Sequence, residues 1–299
     1  TVGKDVNFIF AKGSNVYEDA KMEEKASMFG KDTGRDSRPA EDIRKEALAI
    51  ANQADVIVLA MGESAEMSGE SSSRTDIGIP ETQKELLREL KKTGKPIVIV
   101  LFTGRPLVLT EESQLADAIL NVWFPGSMAG YAISDVLYGK VNPSAKLPMT
   151  FPRSVGQVPL YYNSKNTGRP LSQENTDKCT FEKFRSNYLD GCNAKPVGNT
   201  PIEATVTLTN NGKYEGAEIV QLYIRDLVGS NTRPVKELKG FQKVYLKAGE
   251  SKKVTFKISP EDLKFFNNQL KYDWEAGDFD IMIGTSSSEV KTTRVNWSK

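Results

Sequence analysis

The 299-residue chain contains no histidine. That absence removes Ser-His-Asp and Cys-His nucleophile systems and every metal site built on imidazole. Proton transfer therefore falls to Glu, Asp, Lys, Tyr or Cys. Cysteine is nearly absent too. Cys179 and Cys192 cannot cage a metal by themselves, so no metal or cofactor is expected. Paired in an oxidising compartment they would close a short loop; free, they are two thiols. An excess of one charge sign is also missing: 40 basic side chains face 39 acidic ones, for a net charge of +1. No bulk field draws nucleic acid or an anionic membrane. No apolar run approaches the roughly 20 residues that a bilayer crossing needs. The opening "TVGKDVNFIF" lacks the charged-then-apolar order of a secretion signal.

What is present suits about two domains at roughly 150 residues each. The first half alternates apolar runs with amphipathic ones. "VNFIFA" (6–11) is a short apolar run, and "PAEDIRKEALAIANQA" places Ile43, Ala47, Leu48 and Ile50 at helical spacing behind Pro39. "DVIVLA" (55–60), "PIVIVLF" (96–102) and "AILNVW" (118–123) read as buried strands. Between them, "PETQKELLRELKKTGK" puts Pro80 at a helix start, Leu86, Leu87 and Leu90 on one face, and Gly94 at its stop. "SMAGYAISDVLYG" predicts another helix, ending at Gly139. Uniformly apolar strands separated by such helices imply a doubly wound, largely parallel α/β sheet covered on both faces.

Such sheets bind ligands beyond the carboxyl ends of their strands. Three segments leave those ends: Gly62–Arg74, "TGRP" at 103–106 and "PGSMAG" at 125–130. The first carries three glutamates and five serines within "MGESAEMSGESSSRTDIGIP" (61–80). A Gly-rich loop opening a helix can cradle phosphate, but Glu63, Glu66 and Glu70 would repel an anion, and no complete nucleotide motif is present.

The text changes near residue 150. A stretch rich in Pro, Gly, Asn and Ser (151–198) reads as a long connection. Beyond it lie alternating runs such as Val254, Phe256 and Ile258, with turn signals at Asn211-Gly212, Ala248-Gly249 and Ala276-Gly277. These describe a small antiparallel sandwich. The expected domains are therefore 1–150, a linker 151–198, and 199–299.

"ADVIVLAMGES…SGESSSRTDIGIPETQ", "GKPIVIVLFTGRPL" and "WFPGSMAGYAISDVLYGKVNPSAKLPMTFPRSVGQVPLYYN" resemble the second domain of glycoside hydrolase family 3, the bacterial β-glucosidase type. The part from Gly198 onward, with "GFQKVYLKAGESKKVTF", is similar to that family's fibronectin type III-like domain. The resemblance implies a retaining mechanism, with an Asp nucleophile and a Glu acid/base about 5 to 5.5 Å apart. It implies that the Asp lies on an N-terminal (β/α)8 barrel absent from this chain, and places the acid/base at Glu70. The bland alternative for Glu70 is one acid on a solvated loop. Glu63 would orient the loop through hydrogen bonds, or take the catalytic role if the loop alignment slips. Ser68 and Arg74 are candidates for orienting the loop or binding substrate, and Arg74 pairs with a loop carboxylate or with Asp76. Glu66 reads as solvated and Trp123 as core. Gly126 and Gly130 read as packing glycines, and Arg105 as an interface residue with the missing barrel. Tyr161, Tyr162 and Arg169 line the approach or belong to the linker.

The implied substrate is a β-linked glucoside or oligosaccharide, and the implied setting is periplasmic or secreted. Without the barrel the isolated chain is expected to be inactive. The competing reading is a non-catalytic carbohydrate-binding or interaction module of the same family. The family's Gly- and Tyr-rich passage before the last domain has no counterpart here. Either residues are missing between about Gly198 and Asn199 or this copy of the domain has degenerated; in both cases the sandwich's first strand is open to being absent, leaving an exposed edge or an unpaired core.

Overall fold

The computed structural model describes residues 6–26, 34–165 and 201–299, together with the backbone of Asn193 and Ala194. Two compact units emerge: residues up to Val141 with Met149–Leu160, and Asn142–Pro148 with the residues from Tyr161 onward.

In the first unit the order is α1 (Ala20–Lys25), α2 (Ala40–Gln53), β1 (Ile57–Gly62), α3 (Glu81–Lys91), β2 (Ile97–Phe102), α4 (Glu112–Leu115), β3 (Ala118–Asn121) and α5 (Ala129–Leu137). Helix α2 begins behind Pro39, with Glu41 and Asp42 in the first turn, where the helix dipole favours acids. It buries Ile43, Ala47 and Ala51, one stripe at four-residue spacing. Helix α3 starts behind Pro80 and buries Leu86, Leu87 and Leu90; Gly94, at φ 71°, turns the chain out toward β2. The apolar run Val6–Ala11 forms no strand.

The three strands pair in parallel in the order β1-β2-β3. Ile57 and Met61 of β1, and Ile97, Ile99 and Leu101 of β2, form one core with α2 and α3, and Leu59 and Ile119 pack against it. This is the α/β architecture the patterning implies. On the reverse face of the sheet Val100 is buried and Val98 and Phe102 are half-buried, while Val58, Ala60 and Ala118 nearer the sheet's edges are exposed.

The second unit contains β5 (Ile202–Thr209), β6 (Gly216–Asp226), β7 (Glu237–Leu246), β8 (Ser251–Ile258), β9 (Phe265–Phe266), β10 (Tyr272–Asp273), β11 (Gly277–Gly284) and β12 (Val290–Trp297), preceded by the two-residue β4 (Asn193–Ala194). A five-stranded sheet, β4-β12-β11-β6-β7, packs on the two-stranded pair β5-β8, and β9 pairs with β10. Alternate residues of both layers meet in the core: Val220, Leu222 and Ile224 of β6, Val254, Phe256 and Ile258 of β8, and Phe279, Ile281 and Ile283 of β11. Trp274 and Trp297 lie 6.2 Å apart within the same core. The antiparallel sandwich is as the alternation implies. Among the described residues β5 pairs only with β8. Arg169, Cys179, Cys192 and the Gly198–Asn199 junction lie outside the described residues.

Candidate active-site edge

Because β1, β2 and β3 are parallel, their carboxyl ends share one edge. Strand β1 ends at Gly62, whose φ of 139° is open only to glycine. A Cβ there would fall 1.9 Å from the Phe102 carbonyl oxygen of β2. The Gln83 amide of α3 clasps the same glycine, accepting from its N–H at 2.8 Å and donating to its carbonyl at 3.1 Å. The next residue, Glu63, donates its backbone N–H to Phe102 at 2.8 Å. Its side chain is thereby aimed into the edge.

The Glu63 carboxylate is wholly buried. Its Oε1 lies 2.8 Å from Arg74 Nη1 and 3.2 Å from Arg105 Nε. The Thr103 hydroxyl lies 2.8 Å from Oε2 and 2.7 Å from the Arg105 carbonyl, donating to one at a time. The Gly104 N–H also points to Oε2 at 3.4 Å. Arg74 reaches on to the Gly78 carbonyl at 2.9 Å, and Arg105 donates to the Met67 carbonyl. One carboxylate thus ties the β1 loop at three points to the β2 loop. A buried charge requires such pairing. With both oxygens engaged and no exposure, it has no path to a reacting atom.

The loop that follows has a fixed base and an open tip. Met67 is buried at the end of a short 3-10 turn, Ala65–Met67. The Ser72 hydroxyl donates to the Glu66 carbonyl at 2.6 Å, and its N–H to Gly69 at 3.2 Å. That last bond closes a four-residue turn with Glu70 and Ser71 at its centre. Ser71 is left-handed, φ 61°, as the third residue of a type II turn must be. Glu70 is exposed at the tip, and among the described residues its side chain makes no hydrogen bond or ion pair.

Of the residues singled out in the sequence, Glu63 and Arg74 meet in one ion pair, and Arg74 chooses Glu63 over Asp76. Ser68 is half-buried over Gly104: a Cβ on that glycine would lie 2.2 Å from Ser68 Oγ and 3.0 Å from the Phe124 ring. Glu66 is half-buried rather than fully solvated. Arg105 turns inward to Glu63 and Met67, with about a quarter of its side chain still exposed. Trp123 is half-buried and left-handed at φ 53° rather than core, its ring 5.9 Å from Phe151. Gly126 and Gly130 have open space where a Cβ would stand, so close packing does not require them. Tyr162 packs edge-on against Tyr223 in the second unit, and Tyr161 is exposed. Thr103 and Gly104 escaped sequence reasoning; the available signal was "TGRP" directly after a buried strand. Among the described residues no cluster of acids and thiols could hold a metal ion, and no helix is long and apolar enough to cross a membrane.

A parallel α/β layer with a loop-bearing carboxyl edge, followed by a fibronectin type III-like sandwich, is the class these features define. Residues 9–191 match the glycosyl hydrolase family 3 C-terminal domain, and residues 218–287 match a fibronectin type III-like domain. The chain belongs to glycosyl hydrolase family 3. It is 45% identical to a periplasmic β-glucosidase of Salmonella typhimurium, over 97% of this chain and 40% of that protein. A β-xylosidase of Formosa agariphila is 38% identical over 81% of this chain and 35% of its own length. Among solved structures, the β-glucosidase from Listeria innocua in complex with glucose superposes with a TM-score of 0.79 at 38% identity, covering 88% of this chain and 39% of that one. The chain therefore spans about two fifths of the length of these relatives.

Proposed function

We propose that this chain is the C-terminal part of a retaining β-glucosidase-like hydrolase of terminal β-D-glycosides, acting in a periplasmic or secreted setting, and that Glu70 is its acid/base. The observation that carries this reading is the contrast within one loop. Glu63 is locked by four groups, whereas Glu70 stands exposed on a turn whose base is pinned. A proton-transfer group must be held in place yet left open to the leaving oxygen; Glu70 meets both conditions, and Glu63 only the first. The relatives' names support the substrate class, and their greater length supports a nucleophile carried elsewhere, on an N-terminal (β/α)8 barrel. The division into 1–150, 151–198 and 199–299 belongs to the same proposal. Ser68, Arg74 and Glu63 orient the loop.

The test is hydrolysis of an aryl β-glucoside by this chain alone and after addition of a family-type barrel, with Glu70 intact and with Glu70→Ala. Activity that needs the barrel, falls with Glu70→Ala and partly recovers with an activated leaving group is the expected result. Activity of the chain alone, or indifference to the substitution, overturns the assignment. Sugar binding without turnover in every combination would instead favour a non-catalytic carbohydrate module.

A further inference from the structure

We propose that Gln83 is the positioning residue of the loop that bears Glu70: its side-chain amide locks Gly62, the pivot from which that loop departs. The kinetic consequence rests on the reading of Glu70 as acid/base, whereas the hold on the loop does not.

The need for a lock follows from the register. Gly62 lies opposite Phe102, and at φ 139° a Cβ there would fall 1.9 Å from the Phe102 carbonyl oxygen. Only glycine fits, and glycine is the residue whose backbone turns most freely. The most pliant residue type therefore stands at the root of a loop that must hold an acid in place. Every later anchor, from the ion pairs of Glu63 to the bond between Arg105 and the Met67 carbonyl, lies downstream of that pivot.

Gln83 removes the freedom. A primary amide carries both an acceptor and donors, and this one spends both on a single residue. Its oxygen accepts from the Gly62 N–H at 2.8 Å, and its nitrogen donates to the Gly62 carbonyl at 3.1 Å. The Glu63 N–H goes the other way, to Phe102 of β2 at 2.8 Å. Both peptide planes flanking the glycine are thus fixed, the first through the Gly62 N–H, the second through the Gly62 carbonyl and the Glu63 N–H. Among the described residues β1 has a strand partner on one side only; on the other, Gln83 supplies Gly62 with the pair of bonds that a further strand would give.

The amide is itself held by a packed element, which is what precise positioning requires. Gln83 sits in the first turn of α3, its N–H bonded to the Pro80 carbonyl at 3.0 Å, and Leu86, Leu87 and Leu90 of that helix are buried. The neighbouring Thr82 serves a different segment: its hydroxyl donates to the Asn15 or the Val16 carbonyl, each at 2.9 Å. Adjacent side chains on one helical turn therefore provide a test and its control.

Gln83→Met keeps the length of the side chain and removes both bonds. In the chain alone, hydrogen exchange should quicken at amides 62–73 and stay unchanged in β2. In the barrel-complemented enzyme, kcat/KM for an alkyl β-glucoside, whose leaving oxygen needs a proton, should fall by about 10², the loss that a small misplacement produces. For a dinitrophenyl β-glucoside, whose phenolate leaves without a proton, the fall should stay within about threefold. Thr82→Val should leave both the loop exchange and the ratio between the two substrates as in the wild-type chain. Unchanged exchange in Gln83→Met overturns the proposal, as does an equal fall on both substrates or the same pattern from Thr82→Val. The reading of Glu70 is tested apart from this. If Glu70→Gln leaves the ratio between the substrates unaltered, the acid/base is another group, while quickened exchange in Gln83→Met still upholds Gln83 as the lock of the loop.

Discussion

Arg105 Nε and Glu63 Oε1 lie 3.2 Å apart, joining the loop after β2 to the residue after β1. Because Arg105 also binds the Met67 carbonyl, the pair fixes both ends of the 3-10 turn that leads to Glu70. The orientation of the exposed loop is thus set by a carboxylate that never meets solvent.

Glu63→Gln should therefore act at a distance. It keeps the shape but leaves the Arg74 and Arg105 guanidiniums, both mostly buried, without their anion. Breaking a buried pair from one side costs about 3 kcal/mol. Urea unfolding should register that loss, and hydrogen exchange should quicken at amides 64–73 ahead of the β2 amides. Unchanged exchange there would mean that the ion pair stabilises the sheet without organising the loop.

Gly104→Ala probes the same loop from its other side. The new methyl would meet Ser68 Oγ at 2.2 Å, Ser68 Cβ at 2.9 Å and the Phe124 ring at 3.0 Å, and overpacking of this kind costs about 1 to 3 kcal/mol. Ser68→Gly in the same chain should return part of the loss. A double-mutant cycle should give a coupling of about 1 kcal/mol; strict additivity would mean that the backbone, not Ser68, takes up the strain.

Glu70→Gln should behave in the opposite way to Glu63→Gln. An exposed side chain without partners contributes within about 0.5 kcal/mol to stability, so unfolding should be unaltered. In the barrel-complemented enzyme the same change should slow hydrolysis by about 10² to 10⁴, the usual worth of a positioned acid/base. A loss of stability matching the loss of activity would place Glu70 in the loop's framework instead.

The strands and helices that position this loop were legible because buried parallel strands are continuous apolar runs and helices carry their own punctuation. "DVIVLA" became β1, and Pro80 and Gly94 bracket α3. The three loops at the strand ends followed from strand direction alone. The partners chosen by charged side chains did not. Arg74 had two acids within reach in sequence, and Arg105 had no acid nearby; only the register of β1 against β2, with Gly62 opposite Phe102, brings Thr103, Gly104 and Arg105 to Glu63. The left-handed turn at Trp123 was hidden for a similar reason, since a tryptophan after a strand reads as core until its backbone is seen.

Lys236 offers a test of the second unit that rests on no functional reading. Its side chain is almost completely buried, with Nζ donating to the Ser287 carbonyl at 2.5 Å and lying 5.9 Å from the Tyr223 ring centre. Burial, with a smaller contribution from the Arg225 charge, pushes its pKa down from 10.5 to about 8. The folded state therefore releases this proton near pH 8, while the unfolded chain holds it to about pH 10.4. Between those values the unfolded state binds more protons, so stability rises with pH, by up to about 3 kcal/mol from this group. Lys236→Met removes the titration while keeping an unbranched apolar stem. Urea unfolding followed by Trp274 and Trp297 at pH 7 and pH 10 should find the wild-type chain gaining about 2 kcal/mol on the variant as pH rises. A difference that stays flat would show that the ammonium remains charged inside the fold, held by its carbonyl and its aromatic neighbour.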